Sequence, residues 1–357
     1  MGMGLFDFYK GKRVFITGHT GFKGSWMCEV LKMAGASVTG YALNAPDVSL
    51  YNTARISEGI ASVIGDIRDA DRLKEAFDQA APEIVIHMAA QPIVRESYKE
   101  PAYTYETNVM GTVNILECVR KSDTVRSFVN VTTDKVYLNR SRKEGFKEGE
   151  ELNGYDPYSN SKSCSELVTQ TYKRCFFDDT DTAISTARAG NVIGGGDHSV
   201  DRIIPDCIRA VTKGDPIIVR NPGSVRPYQH VLEPVYAYLL IAMKQFEDRR
   251  FRGSYNIGPD EKGCVTTGEL ADKFCSLWGE GAAWINKSDG GPHEDNFLKL
   301  DCSLMKETFG WAPLWDIDEA LKCTIDWTKC AIGNGDVRSC MHEQISRYIN
   351  GQEGRPS

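Results

Sequence analysis

A short apolar strand, a turn with three glycines and a helix follow one another without a gap near the N-terminus, and they restrict the fold more tightly than any other stretch. Arg13-Val14-Phe15-Ile16-Thr17 reads as the strand. Gly18-His19-Thr20-Gly21-Phe22-Lys23-Gly24 follows at once, and a helical run from Ser25 to Ala34 closes at Gly35. Glycines at such a junction let backbone approach a pyrophosphate at the positive end of a helix. The spacing is Gly-x-x-Gly-x-x-Gly, so the strand before and the helix after give the pattern its weight.

The alternation continues. Strands are expected at Ser37 to Ala42, Ala61 to Gly65, Glu83 to His87, Arg126 to Val131 and Ala183 to Arg188. Helices separate them, notably Asp71 to Ala80 and Ala102 to Lys121. This order builds an α/β fold with a parallel, doubly wound sheet. Ligands then bind at the carboxyl ends of the strands, where Gly18, Asp66, Ala89, Thr132 and Arg188 fall. An acidic residue at the end of the second strand selects a ribose 2′-hydroxyl, and an arginine accepts a 2′-phosphate. Gly40-Tyr41-Ala42-Leu43-Asn44 has neither, so NAD and NADP both stay open on this ground.

Further along, Tyr155-Asp156-Pro157-Tyr158-Ser159-Asn160-Ser161-Lys162 puts a phenol and an amine four residues apart. Pro157 suits the first turn of a helix. Tyr158 and Lys162 then share one face. A free tyrosine titrates near ~10, and an ammonium close by is expected to lower that value. Such a pair takes a proton from a sugar hydroxyl while a hydride leaves the same carbon.

At 357 residues the chain has room for one large or two modest domains. A net charge of -7 argues against nucleic acid or an anionic membrane as the main partner. No run approaches the ~20 apolar residues of a membrane span, and Met1 to Lys10 lacks a signal pattern. The 11 cysteines are dispersed, which reads as reduced cytoplasmic thiols. Cys28, Cys118, Cys164 and Cys175 are read as helix-packing residues, and no metal site is expected.

Several segments carry a wider resemblance. They are Gly18 to Trp26, His87-Met88-Ala89-Ala90-Gln91-Pro92, Thr107 to Thr112, Thr132-Thr133-Asp134-Lys135-Val136-Tyr137, Tyr155 to Lys162, Arg188 to Asp197, Arg226 to Val231 and Leu298 to Asp301. With them the chain, from about Phe8 to Trp327, resembles the extended short-chain dehydrogenase/reductase family, and within it the CDP-glucose branch of the sugar-nucleotide 4,6-dehydratases. His19, Lys135 and Gly194-Gly195-Gly196-Asp197 point to that branch; the other motifs are shared with epimerases and other dehydratases.

The resemblance implies a Rossmann-type domain over 1–188 plus about 228–258. It implies a smaller, mainly helical substrate domain over about 189–227 plus 259–345, with a tail at 346–357. It implies NAD held by Gly18, His19, Gly21, Phe22, Lys23, Gly24, Asp66, Ile67, Ala89, Ala90, Gln91, Asn108, Thr132, Tyr158 and Lys162. It implies a nucleotide-sugar substrate, CDP-glucose, reached by Arg95, Asn191, Arg202, Arg220 and Arg226; arginine suits bidentate phosphate contact. The implied reaction belongs to deoxysugar biosynthesis: oxidation at C4, loss of water across C5–C6 and hydride return to C6.

Each step then has a residue. Tyr158 is the base at the C4 hydroxyl, with Lys162 depressing its pKa, and Thr133 aligns O4. Asp134 is the acid for the C6 hydroxyl if burial raises its pKa. Related dTDP-glucose enzymes have a glutamate base at the next position. Here it is Lys135, which serves C5 as a base of lowered pKa or as a charge stabilising the enolate. His19 is expected to crowd the pyrophosphate and weaken NAD binding. Loops are expected at Gly194 to Gly196 and Ser224 to Pro227, a helix from Arg202, a short strand within Lys213 to Arg220, and a helix over His230 to Phe246. His293 and Glu294 fall in a polar loop. The stripes Val109, Val113, Leu116 and Leu167, Val168, Tyr172 are core positions by default; the family uses these two helices as a dimer seam, so a homodimer or tetramer is expected. A 4-epimerase is the nearest alternative, and it needs no elimination pair.

Overall fold

The computed structural model describes residues 3–140, 142, 144–287 and 298–355. In chain order its strands are β1 (Arg13–Thr17), β2 (Ser37–Ala42), β3 (Ala61–Ile64), β4 (Ile84–His87), β5 (Ser127–Thr133), β6 (Ala183–Ala189), β7 (Asn191–Ile193), β8 (Ile217–Val219), β9 (Val225–His230), β10 (Ser254–Ile257), β11 (Cys264–Thr266) and β12 (Trp284–Asn286). Seven of them form one sheet in the order β10-β6-β5-β4-β1-β2-β3, and every pairing in it is parallel. The chain winds outward from β1 through β3, returns to β4 beside β1, and winds outward again. The switch between β1 and β4 opens a crevice at the carboxyl ends. Helices cover both faces, so β4, β5 and β6 are buried along their whole length.

The remaining strands form two small sheets, β11-β9-β7 and β12-β8. Here the sequence expectation needs correcting. The segment expected to be a loop at Ser224 to Pro227 enters strand β9, because Arg226 and Pro227 pair with Val265 and Cys264. The chain end also differs. In place of a tail from 346, a helix spans Val337–Glu353. Its Tyr348 and Ile349 are buried, and the Tyr348 hydroxyl donates to the buried Glu233 carboxylate.

The helix expected over Ala102 to Lys121 is present in three parts: Pro101–Tyr105, a π turn at Glu106–Met110, and Gly111–Arg120. A π turn adds a residue to one turn and re-aims its side chains. Here it buries Thr107 and Asn108. Among the cysteines, Cys28 and Cys118 are buried packing residues, Cys164 is half-buried and Cys175 is exposed rather than packed. Among the described residues no helix is long and apolar enough to cross a membrane.

Arg188 sits at a strand end as expected but turns inward. It is buried against Glu166, Nε to Oε1 at 3.0 Å and Nη2 to Oε2 at 2.8 Å. Thr132 and Thr186 donate to the same carboxylate at 2.6 and 2.8 Å. Arg188 also donates to Tyr137 Oη at 2.7 Å, and Tyr137 donates to Asn256 at 2.6 Å. This network ties β5, β6 and β10 to the helix that carries Tyr158. Removing one partner leaves a buried charge uncompensated, so Glu166→Ala is expected to cost about 3–5 kcal/mol, read as a lower midpoint in urea unfolding.

Candidate active site

The glycine turn is built as its spacing requires. Gly18 has φ +82°, and a Cβ there would lie 2.8 Å from the Ala89 nitrogen. A Cβ on Gly24 would lie 2.1 Å from the Gly18 carbonyl oxygen. Bare backbone at both places lets the helix Phe22–Met33 start directly over the sheet switch. Above it opens a cleft of about 840 Å³, lined from both halves of the chain.

Gly18, Gly21, Phe22, Lys23, Gly24, Asp66, Ile67, Ala89, Ala90, Thr132, Tyr158 and Lys162 line this cleft, as do Arg95, Asn191, Arg202, Arg220, Arg226, Thr133, Asp134 and Lys135. His19, Gln91 and Asn108 do not line it. The His19 ring is buried behind the turn, with Nε2 2.7 Å from Ser62 Oγ and its edge against Tyr51. It fills the space beside Gly40, where a Cβ would meet His19 Cγ at 2.2 Å. The expected crowding of the pyrophosphate is therefore corrected: the ring points away, and burial pushes its pKa down to about 4, which keeps it neutral. Asn108 braces the wall instead of facing it. It accepts from the Gln91 nitrogen at 2.8 Å, donates to the Gln91 carbonyl at 3.1 Å and to Ser161 Oγ at 2.9 Å. The Gln91 side chain is used on Thr104 and on the Ile93 nitrogen.

The helix Pro157–Tyr172 starts where Asp156 caps it, accepting from the Ser159 nitrogen at 2.9 Å, with Pro157 in the first turn. It delivers Tyr158 and Lys162 to the cleft. Lys162 Nζ donates to the Val131 carbonyl at 3.1 Å. Burial pushes the Lys162 amine down to about 8, with Glu166 opposing. The Tyr158 phenol moves opposite to the expectation. Burial pushes it up to about 12, against the neighbouring Thr133 hydroxyl and the Arg202 charge, which lower it. Here desolvation outweighs the neighbouring cation.

Thr133 ends β5, and its hydroxyl donates to Asp134 Oδ1 at 3.0 Å. Asp134 is 1 % exposed, and its Oδ2 has no partner among the described residues. Burial raises the Asp134 pKa, with the Lys135 charge and the Thr133 hydrogen bond opposing. This is the direction required of a carboxylic acid that donates a proton. Lys135 is half-buried at the cleft wall. Lys23, in the first turn over the glycines, is pushed down to about 7 by burial and then by Arg202 and Lys162.

At the other end of the cleft the arginines are gathered by carboxylates. Arg202 pairs with Asp197 at 3.2 Å. Arg220 pairs with Asp201 at 2.9 Å and Asp206 at 3.1 Å, and Arg95 lies 4.0 Å from Asp201. Arg226 is 5 % exposed and donates to the Val225 carbonyl. Asp201 holds its place with φ +59°, a left-handed conformation uncommon outside glycine. Sequence reasoning missed Asp201 and Ser224, whose buried hydroxyl lines the cleft without a partner among the described residues. Neither stands in a motif; only the fold brings them to the arginines. His293 and Glu294 lie outside the described residues.

The chain's relatives are consistent with this geometry. The CDP-glucose 4,6-dehydratase of Salmonella typhimurium is 45% identical over 351 residues, 96% of this chain and 98% of the relative. A dTDP-glucose 4,6-dehydratase of Bacillus anthracis, solved with NAD, superposes with a TM-score of 0.75 at 22% identity over 89% of this chain and 97% of its own. The UDP-glucose 4-epimerase of Thermus thermophilus, also with NAD, gives a TM-score of 0.78 at 24% identity over 89% and 99%. Both show that the fold is shared. Residues 15–324 match the family described as GDP-mannose 4,6 dehydratase, and with that span and the 45% relative the chain belongs to that family.

Proposed function

We propose that the cleft binds NAD and a nucleotide sugar, CDP-glucose, and that the chain converts the sugar to its 4-keto-6-deoxy form with loss of one water. The observation that carries this reading is Asp134: a buried carboxyl of raised pKa, with one oxygen bonded by Thr133 and the other unpartnered among the described residues, on the wall of the cleft that Tyr158 also lines. Epimerisation at C4 needs no such acid; elimination at C6 does. The 45% relative supports CDP-glucose as the substrate.

The bare backbone at Gly18 and Gly24 fits a pyrophosphate at a helix start. Asp66, held by Arg68 at 2.7 Å, stands at the adenosine end of the same cleft. Bound NAD supplies the acceptor for the hydride from C4 and its return to C6. Tyr158 takes the O4 proton, and Lys162, fixed on the Val131 carbonyl, holds its charge beside the phenol. Asp134 protonates the departing C6 hydroxyl. Lys135, next in sequence and on the same wall, serves the C5 step. Arg95, Arg202, Arg220 and Arg226 receive the diphosphate, which displaces the carboxylates that now hold several of them.

Met110, Leu167 and Phe176 expose large apolar side chains on the two helices expected to meet in a dimer. They support a homodimer built on that seam. The test of function is incubation with NAD+ and, separately, CDP-, dTDP-, UDP- and GDP-glucose, followed by mass spectrometry. Loss of one water from CDP-glucose alone is the expected result. Unchanged mass with a new C4 epimer would replace this reading with epimerisation.

A further inference from the structure

Three buried side chains that do not line the cleft join its two working ends. This inference rests on the reading above, in which the cleft holds NAD and Tyr158 serves C4. Thr17 ends β1 and His87 ends β4, side by side in the sheet. Thr112 stands in the first turn of the helix Gly111–Arg120. All three are buried, and none is among the cleft-lining residues.

The hydrogen bonds between them run in one direction only. Thr17 Oγ1 accepts from the Met88 and Ala89 nitrogens, both at 3.1 Å. With both lone pairs used, its own proton goes to His87 Nδ1 at 2.7 Å. Burial, with the Lys162 charge acting the same way, pushes the His87 pKa down to about 3, so the ring is neutral. Its one proton then sits on Nε2, which donates to Thr112 Oγ1 at 3.2 Å. Thr112 donates to the Asn108 backbone carbonyl at 2.7 Å, so Ser165 is the donor in its 2.9 Å contact with Thr112. Ser165 Oγ in turn accepts from the Asn130 side chain at 2.9 Å. Phe128 stacks on the imidazole, which fixes the plane of the ring.

Both ends of this chain reach the site. At one end Met88 and Ala89 line the cleft, and the glycine turn rests on Ala89, whose nitrogen lies 2.8 Å from where a Gly18 Cβ would be. At the other end Ser165 follows Tyr158 by seven positions and Lys162 by three on the helix Pro157–Tyr172, so the three share one face. Holding Ser165 sets the rotation of that helix about its axis, and with it the aim of Tyr158 and Lys162. Apolar groups of the same shape would fill this space at little cost in stability. They would not fix orientation, which a satisfied polar network does.

We propose that His87 is a positioning residue that couples the dinucleotide site to the Tyr158 helix. Through Thr17 it holds the Met88–Ala89 wall, and through Thr112 and Ser165 it holds the helix that aims Tyr158 and Lys162. A disturbance at either end is felt at the other.

Thr17→Val and Thr112→Val cut the chain on either side of the imidazole, and each is read at the far end. T112V, on the helix side, is expected to weaken NAD+ binding about tenfold in titration calorimetry. T17V, on the turn side, is expected to slow C4 oxidation of CDP-glucose about tenfold at saturating NAD+, followed at 340 nm in a single turnover. The double variant should be no worse than the poorer single one in either measurement, because the chain is already cut. T17S and T112S, which keep the hydroxyls, should recover most of both losses. Wild-type values at both far ends, or losses that add in the double variant, would overturn the coupling even if the unfolding midpoints fall. NMR of the imidazole nitrogens tests the arrangement in the wild type, whether or not a variant folds. His87 should be the neutral Nε2–H form between about pH 5 and 8, and a protonated ring or an Nδ1–H form would overturn it. A wild type that binds no NAD+ or never oxidises C4 would instead overturn the reading on which the coupling rests.

Discussion

Replacing Asp134 with Asn is expected to leave C4 oxidation running and to slow water loss by about 10²–10⁴-fold, the usual weight of a positioned acid. Asn keeps the shape and can still accept the Thr133 hydrogen bond now made at 3.0 Å, so the fold is unchanged. It has no proton to give to O6. Reduced cofactor and 4-keto-glucose nucleotide should therefore accumulate, visible at 340 nm and as a mass that has lost two hydrogens but no water. The pH dependence follows from the direction of the shift. Burial raises the Asp134 pKa, so the acid form persists to higher pH than in a free carboxyl and is lost as pH rises through the folded value. The wild type should show that alkaline limb in water loss, and D134N should lack it. Undiminished water release by D134N would remove Asp134 from the mechanism.

Tyr158→Phe is expected to fail earlier. The phenol is the side chain the proposed chemistry assigns to the O4 proton, and its loss should lower the rate of C4 oxidation by about 10²–10⁴-fold. The ring remains on the capped helix Pro157–Tyr172, so circular dichroism should hold. Lys162 sharpens the test. Its amine is pushed down to about 8 by burial, so its charge is present below that pH and is lost above it. C4 oxidation in the wild type should weaken on that alkaline side, where the phenol, already held high by burial, loses the neighbouring cation that favours its ionised form. In Y158F the residual rate should be insensitive to this titration. A stopped-flow trace at 340 nm over pH 6–9 separates the two enzymes.

How much of this the sequence disclosed follows from which forces were local. The strand–turn–helix from Arg13 onward is a local matter of apolar run, glycine positions and helix periodicity, and it stands as expected. The same is true of Asp156-Pro157 at the start of the helix bearing Tyr158 and Lys162. The strand ends place Asp66, Ala89 and Thr132 on one rim because a parallel sheet aligns them. What was hidden depends on partners far away in the chain. His19 turns from the cleft because Gly40 and Ser62 leave it a slot on strands β2 and β3. Asn108 braces Gln91 only once a π turn has aimed it. Strand β9 exists because Val265 is there to pair with Arg226. The helix at the C-terminus is held by Glu233, a residue more than a hundred positions earlier in the chain. The sign of the Tyr158 shift could not be read from its spacing to Lys162 either, since it is set by how much of the assembled chain surrounds the phenol.

The proposed reaction is an elimination with internal return of the C4 hydrogen. CDP-glucose carrying deuterium at C4 puts that return to the test, with the product examined by mass spectrometry and NMR. The predicted product has lost one water, keeps the deuterium and carries it at C6. A product of unchanged mass, or one whose deuterium has been lost to solvent, would contradict it.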